Sequence, residues 1–302
     1  INSFISLKPS VALVLPTVSE FKYPGPIISV PFWIWIIAIF IIIFSHESMH
    51  ALIAANEGVR TRRYGLLYLL IVPIGAFVDV DKKKMERTNI INKLKIYAAG
   101  SFGNLIVFLI FLVILMLSYN IINQLFVSSG VTFNNVSPDS PAEKVGLSGI
   151  IKRIDNKTIN NIYDLQDFLR NTKPNTTVLI ETTEGIYNLT IAEKNNVSYI
   201  GIVGVKNYIV YRNSDKPVPE SILSTINYFL ITIQWIAILS LGIAVANMLP
   251  IIPLDGGLMI KEILREKFGK KGEKISKIVS TIFLTLLLSS LFLSSLIPRA
   301  VS

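Results

Sequence analysis

The chain of 302 residues has no cysteine and only two histidines. Without thiols there is neither a disulfide framework nor a thiolate metal site, so any transition-metal centre must draw on His, Asp and Glu. Charge is scarce as well: Asp, Glu, Lys and Arg supply 16% of the residues against 51% hydrophobic, and mean hydropathy is +0.56. An ordinary soluble domain carries about 25% charged residues, so that class is excluded. Acidic side chains are the scarcer sign, 20 against 29 basic, for a net charge of +9. The basic residues cluster beside apolar runs. They read as topology signals and contacts with the lipid bilayer, and no nucleic-acid surface is expected. A secretory leader is not expected either, because Lys8, Pro9, Pro16, Glu20, Lys22, Pro24 and Pro26 interrupt any apolar core near the start.

What is present is concentrated. Both histidines fall in Ser45-His46-Glu47-Ser48-Met49-His50, directly after the wholly apolar stretch from Phe32 to Phe44. On a helix, positions i and i+4 share a face, so His46 and His50 can hold one zinc ion while Glu47 lies beside them. An ionisable group at the centre of a membrane span costs about 2.5–3.5 kcal/mol on an insertion scale, which makes an idle Glu47 hard to explain.

A spanning helix needs about 20 apolar residues. Four segments meet that: 30–56, 96–118, 222–250 and 278–297. A fifth apolar run, 64–78, is short and carries Gly65, Pro73 and Gly75, so it reads as re-entrant or strand-like. Nine Lys/Arg fall within 57–95 and seven within 261–277, which places both loops on the cytoplasmic side. Residues 1–29 and 119–221 are then outside, and sequons at Asn135, Asn156, Asn175, Asn188 and Asn196 all lie in the longer outer stretch. Within it, 127–205 has a globular composition. Strand-like runs at 131–133, 177–181 and 187–191 alternate with a helical pattern at 162–169, as in a small mixed α/β domain. The expected organisation is a polytopic α-helical membrane protein. It has an outer N-terminal segment (1–29), a first membrane part (30–118), an inserted extracytoplasmic α/β domain (127–205) and a second membrane part (222–297).

A hydrolytic zinc commonly has three protein ligands and a water. With the histidines used, the third ligand must be a carboxylate. The candidate is Asp255, in Asn247-Met248-Leu249-Pro250-Ile251-Ile252-Pro253-Leu254-Asp255-Gly256-Gly257 at the edge of a span. The same sequence also reads as a helix stop and turn. Depth can be compared: His46 lies about 15 Å, and Asn104 about 12 Å, from the cytoplasmic ends of their spans at a rise of 1.5 Å per residue. Zinc would acidify water and polarise a carbonyl, Glu47 would shuttle the proton to the leaving amine, and the Asn104 amide would bond the developing oxyanion or the substrate backbone. Close packing of helices through Gly100-Ser101-Phe102-Gly103-Asn104 is the other reading of that motif.

His46-Glu47-Ser48-Met49-His50, then Gly100 with Asn104, then Asn247 through the Leu254-Asp255-Gly256 core resemble, in that order, the site-2 protease family of intramembrane zinc metalloproteases, in particular its archaeal type. Pro73-Ile74-Gly75-Ala76-Phe77-Val78 is similar to the family's membrane-embedded hairpin. Val136-Ser137-Pro138-Asp139-Ser140-Pro141-Ala142, with the Ile154-Asp155-Asn156-Lys157 run, resembles a protease-associated PDZ domain. The resemblance implies zinc ligands His46, His50 and Asp255 and general base Glu47. It implies substrate positioning by Asn104 and Asn247, and a strand edge at Gly75, Ala76 and Phe77 to which an unwound substrate adds. Single-span membrane proteins would be the substrates, cut within or near their spans in regulated intramembrane proteolysis, at a site nearer the cytoplasm with the PDZ-like domain outside. Ser101 stands where the family's G-P-x-x-N pattern has proline, and Ile150 where such PDZ domains often have aspartate. A span that many members carry before the H-E-x-x-H helix is not visible, as in a trimmed or diverged N-terminus. Outside that resemblance, a metal transporter using the three ligands, a PDZ-bearing scaffold with a vestigial site and a zinc protease of polypeptide tails are the alternatives.

Overall fold

A computed structural model describes residues 13–17, 27–69, 72–194 and 196–296. The chain divides into two compact units, one formed by 1–116 with 228–302 and the other by 117–227.

Among the described residues, four helices are long and apolar enough to cross a membrane: α1 (Phe32–Asn56), α3 (Ile90–Leu125), α6 (Glu220–Asn247) and α8 (Lys270–Leu296, of which 270–291 qualifies). Lipid offers no partners to a free N–H or C=O, so apolar runs of this length satisfy their backbone internally. α1 ends at Gly58, whose φ of +74° lets Val59 N–H return to the Ala54 carbonyl. α3 is longer than its apolar stretch. Asn89 Oδ1 accepts from Asn92 N–H at 2.9 Å and starts the helix one polar turn and a half earlier than hydropathy suggests. α6 stops at Asn247, short of Pro250, which cannot donate an N–H and disfavours helical backbone before it.

The basic segment 261–277, expected to be a loop, is instead almost wholly helical. α7 (Asp255–Phe268) runs into Gly269, at φ +56°, and α8 begins one residue later. The leucine-aspartate-glycine run therefore opens a helix and is not a stop. Alternating polar and apolar residues made that amphipathic helix look like a charged loop.

The short apolar run is strand, as one reading had it. β3 (Thr61–Leu69) and β4 (Val72–Val80) pair antiparallel from Thr61 opposite Val80 to Leu69 opposite Val72, with the register shifting between Thr61 and Arg63 and between Leu67 and Tyr68, and β4 runs along α1. The small helix α2 (Lys82–Arg87) follows, capped by the Asp81 side chain. Ahead of α1, β1 (Leu13–Thr17) and β2 (Ile27–Pro31) pair in parallel, an element that the prolines around it hid from sequence reading. Ala38 and Ile42 of α1, Val107 of α3, and Ile236 and Leu239 of α6 make the central packing of this unit. A second cluster, Ala54, Val59, Met85 and Ile96, closes the end of α1.

The other unit is mixed α/β. Its main sheet has the order β10 (Ile186–Thr190), β9 (Thr177–Thr182), β7 (Ile151–Ile154), β5 (Phe126–Thr132) and β14 (Lys206–Tyr211), with β8 (Lys157–Thr158) on β7. β6 (Asn135–Val136) pairs with β13 (Ile202–Val203), and β11 (Ala192–Lys194) with β12 (Val197–Tyr199). Helix α4 (Pro141–Lys144) starts at Ser140, whose hydroxyl accepts from Glu143 N–H. Helix α5 (Ile162–Asn171) carries a capping box of Asn161 and Asp164 and buries Leu165. Val131, Ile151, Ile154, Ile180, Leu189 and Ile191, all essentially sealed from solvent, form the core.

Candidate metal centre

The helical spacing that put His46 and His50 on one face is realised in α1, where both side chains are largely buried, 13% and 14% exposed. His50 Nδ1 lies 2.7 Å from the Ile96 carbonyl of α3. A carbonyl only accepts, so the ring carries its proton on Nδ1 and leaves the Nε2 lone pair free. His46 Nδ1 lies 3.2 Å from the Asn104 amide, about two turns further along α3.

Asp255 is brought to these rings by the way α7 begins. After α6 the chain turns back through Met248 to Leu254, with Leu254 N–H bonded to the Ile251 carbonyl at 2.7 Å and Ile252 N–H to Ser280 Oγ at 2.9 Å. Gly256 and Gly257 lie directly on that returning segment. A Cβ on Gly256 would sit 2.1 Å from the Met248 carbonyl oxygen, and one on Gly257 would sit 2.4 Å from the Ile251 carbonyl carbon. Only glycine permits the approach, and the approach is what points the first residue of α7 at α1.

Among the described residues, His46, His50 and Asp255 bring one donor atom each within reach of a shared metal ion. His46 Nε2 is 3.1 Å from His50 Nε2, and the Asp255 carboxylate oxygens are 3.4 Å from the two rings. Ligands at about 2.0–2.1 Å from a tetrahedral ion lie about 3.3 Å apart, so the two imidazoles are spaced as neighbouring ligands would be, while the carboxylate approaches them through different oxygens, Oδ2 toward His46 and Oδ1 toward His50. Two further observations agree. Asp255 Oδ2 is buried with no hydrogen-bond partner. Gly100 backs the site: a Cβ there would fall 2.3 Å from His50 Nε2 and 2.5 Å from His46 Nε2. Without a side chain at Gly100, the space beside the donor atoms stays open.

The triad opens on a cavity of about 650 Å³ lined by Glu47, Phe77, Val78, Tyr97, Asn247 and Pro253. Glu86, Lys261, Glu262 and Arg265 also line it. Glu262 is paired there with Lys93 at 3.1 Å, and each side chain is only 13% exposed. The lining thus combines the three donor residues with four further charged side chains besides Glu47.

Every sequence-predicted site residue can be located. His46, His50 and Asp255 converge, and Glu47, Asn247 and Phe77 line the same cavity. Gly75 and Ala76 lie in β4 opposite Leu67 and Leu66. Asn104 is fully buried behind His46 and is not among the cavity-lining residues. The Ile96 carbonyl and the Tyr97 side chain were not anticipated. A backbone acceptor leaves no trace in sequence, and Tyr97 is one apolar-looking position in an apolar helix.

Comparison with known proteins agrees with this geometry. Over 251 residues the chain is 28% identical to the uncharacterised protein MJ0971 of Methanocaldococcus jannaschii, an alignment covering 81% of this chain and 61% of that protein. The chain thus spans about three fifths of the length of that relative. The sequence model of Peptidase family M50 matches residues 34–290, a stretch that holds both histidines, Glu47 and Asp255. The chain belongs to Peptidase family M50, the site-2 protease family of membrane metalloproteases.

Proposed function

We propose that the protein is a zinc-dependent endopeptidase that cuts single-span membrane proteins within or near their spans, as in regulated intramembrane proteolysis. The observation that carries this reading is the convergence of His46, His50 and Asp255, with Glu47 beside them, where both histidines and Glu47 sit on a helix apolar enough to lie in lipid. Zinc held by those three side chains supplies Lewis acidity, which acidifies water and polarises a peptide carbonyl. Glu47 takes the proton of the attacking water and returns it to the leaving nitrogen. Asn247, at the end of α6 on the cavity wall, holds the substrate backbone. β4, whose Phe77 and Val78 also face the cavity, offers Gly75, Ala76 and Phe77 as a strand edge to the unwound substrate. A helical peptide bond in lipid has its N–H and C=O engaged, so unwinding must come before cutting, and substrates should carry helix-weakening residues near the cut.

The clusters of Lys and Arg within 57–95 and 261–277 support a centre nearer the cytoplasm, with β3 and β4 re-entering the membrane and the α/β unit outside. That unit reads as PDZ-like. Ser140 caps α4 after Ser137-Pro138-Asp139, α5 follows, and Gly201 packs so closely on Ser140 that a Cβ would lie 2.1 Å from the serine Cβ. It would screen substrates by the size of their outer part. A transport site for the ion would leave Glu47 and the strand edge unexplained.

The test is reconstitution of the full chain with tagged transmembrane substrates, with and without a zinc chelator. Cleavage should need zinc, and Glu47→Gln should keep the metal while slowing cleavage by a factor of about 10²–10⁴. Cleavage at the wild-type rate by Glu47→Gln, or in the metal-free protein, would end the assignment.

A further inference from the structure

We propose that Asn104 is a positioning residue for His46: with zinc bound, its amide oxygen accepts the Nδ1–H of that ring. This rests on the zinc-protease reading above. It gives Asn104 a role through His46 in place of a contact with the developing oxyanion.

The two ligand histidines face the same problem. A neutral imidazole has one N–H, and if Nε2 is to offer its lone pair to a metal the proton must sit on Nδ1, where it needs an acceptor. His50 has one, the Ile96 carbonyl at 2.7 Å. At His46 the group on Nδ1 is the Asn104 side chain, with the amide nitrogen placed 3.2 Å away. That orientation sets a donor against the N–H that a ligating His46 must carry. The other half of the amide is in difficulty too, since Asn104 Oδ1 is buried and has no hydrogen-bond partner.

Turning the amide end for end sets an acceptor against that N–H and gives the buried oxygen a partner. The nitrogen and oxygen of an Asn side chain are assigned from the hydrogen-bond network and not from shape, so the turn changes no packing. The orphan oxygen then accepts from His46 Nδ1–H, and Nε2 of the same ring is left facing Asp255 and His50. Asn104 is 0% exposed, absent from the cavity wall and set against the ring nitrogen that does not face the other ligands. A substrate carbonyl in the cavity meets Asn247 instead. The Gly100 carbonyl is the competing acceptor near His46, and the test must separate the two.

The experiment uses the full chain in detergent and reads zinc affinity by competition with a chromogenic chelator, beside substrate cleavage. Asn104→Leu keeps the shape and removes the acceptor. It should bind zinc about 10–100-fold more weakly, the usual effect of losing such a partner. Asn104→Asp accepts but cannot donate. It should hold zinc within a few-fold of wild type and should still cleave. An oxyanion donor predicts the opposite for Asn104→Asp, with zinc retained and cleavage lost, and that result overturns the proposal. Wild-type affinity in Asn104→Leu overturns it as well, by showing that the Gly100 carbonyl suffices. Should Asn104→Leu fail to fold, Asn104→Asp decides: retained zinc and cleavage support the assignment, and loss of either overturns it. Failure of wild type itself to take up zinc would instead defeat the parent reading.

Discussion

Gly100 on α3 stands against His46 on α1 with no room for a methyl group, since a Cβ there would lie 2.5 Å from both Nε2 and Cε1 of the ring. The same Cβ would lie 2.3 Å from His50 Nε2. Close helix packing and an open metal site are therefore one requirement at this position. Gly100→Ala should drive the rings apart and abolish stoichiometric zinc uptake, measured by elemental analysis of the purified protein. Retention of one zinc per chain by Gly100→Ala would show that the rings have slack that the structure does not display.

Glu262, on the cavity lining, is paired with Lys93, and each shields the other. Losing one partner strands a charge that is only 13% exposed, and should lower stability by about 1–3 kcal/mol. Lys93→Met and Glu262→Gln should each reduce the melting temperature in detergent. The double variant should fall less than the two shifts added together. Strict additivity would mean that the pair is not coupled.

Two glycines of the helical membrane unit should respond in opposite directions to the same change. A Cβ on Gly272 would lie 2.0 Å from the Leu264 carbonyl oxygen, which is backbone and cannot swing aside, so Gly272→Ala should cost about 1–3 kcal/mol. Gly242, inside α6, has nothing within 4 Å of its Cβ position, so Gly242→Ala should be neutral or stabilising by up to about 1 kcal/mol. Thermal unfolding of the two variants side by side checks the pair, and a stabilised Gly272→Ala would contradict the close approach of Gly272 in α8 to the Leu264 carbonyl of α7.

Asp81 links the end of the hairpin to α2. The Lys84 backbone N–H, and then the Arg62 guanidinium at 3.0 Å, hold its carboxyl below the usual range. A carboxyl depressed in the folded state contributes stability above its unfolded pKa of about 3.9, and that contribution is lost as pH falls through the lower folded value. Amide exchange in β3 and β4 should therefore stay slow down to about pH 4 and quicken below it. Asp81→Asn should show the faster exchange already at neutral pH, and identical profiles for the two proteins would remove Asp81 from the hairpin's support.

Legibility followed range. His46, Glu47 and His50 could be read because one helical turn carries the whole relationship. Asp255 could be read because an acid beside two prolines and two glycines at the edge of a span has few idle explanations. The four apolar helices announced themselves by length, yet their ends did not, because Asn89 and the polar turn after Gly269 extend helices beyond their greasy stretches. α7 was hidden by its own charges, and β1 with β2 by neighbouring prolines. For Asn104 the position was legible and the partner was not, since only folding shows which ring nitrogen it meets.

The residues of the candidate metal site come from α1 and from α7, a short helix that follows α6. During synthesis, the histidines are therefore made and inserted long before the carboxylate that completes their site. A ribosome-bound chain carries an unarmed His46 and His50 until α7 has emerged and folded back. A peptidase-family chain whose three candidate ligands must all be present is thereby kept idle until most of it has been made.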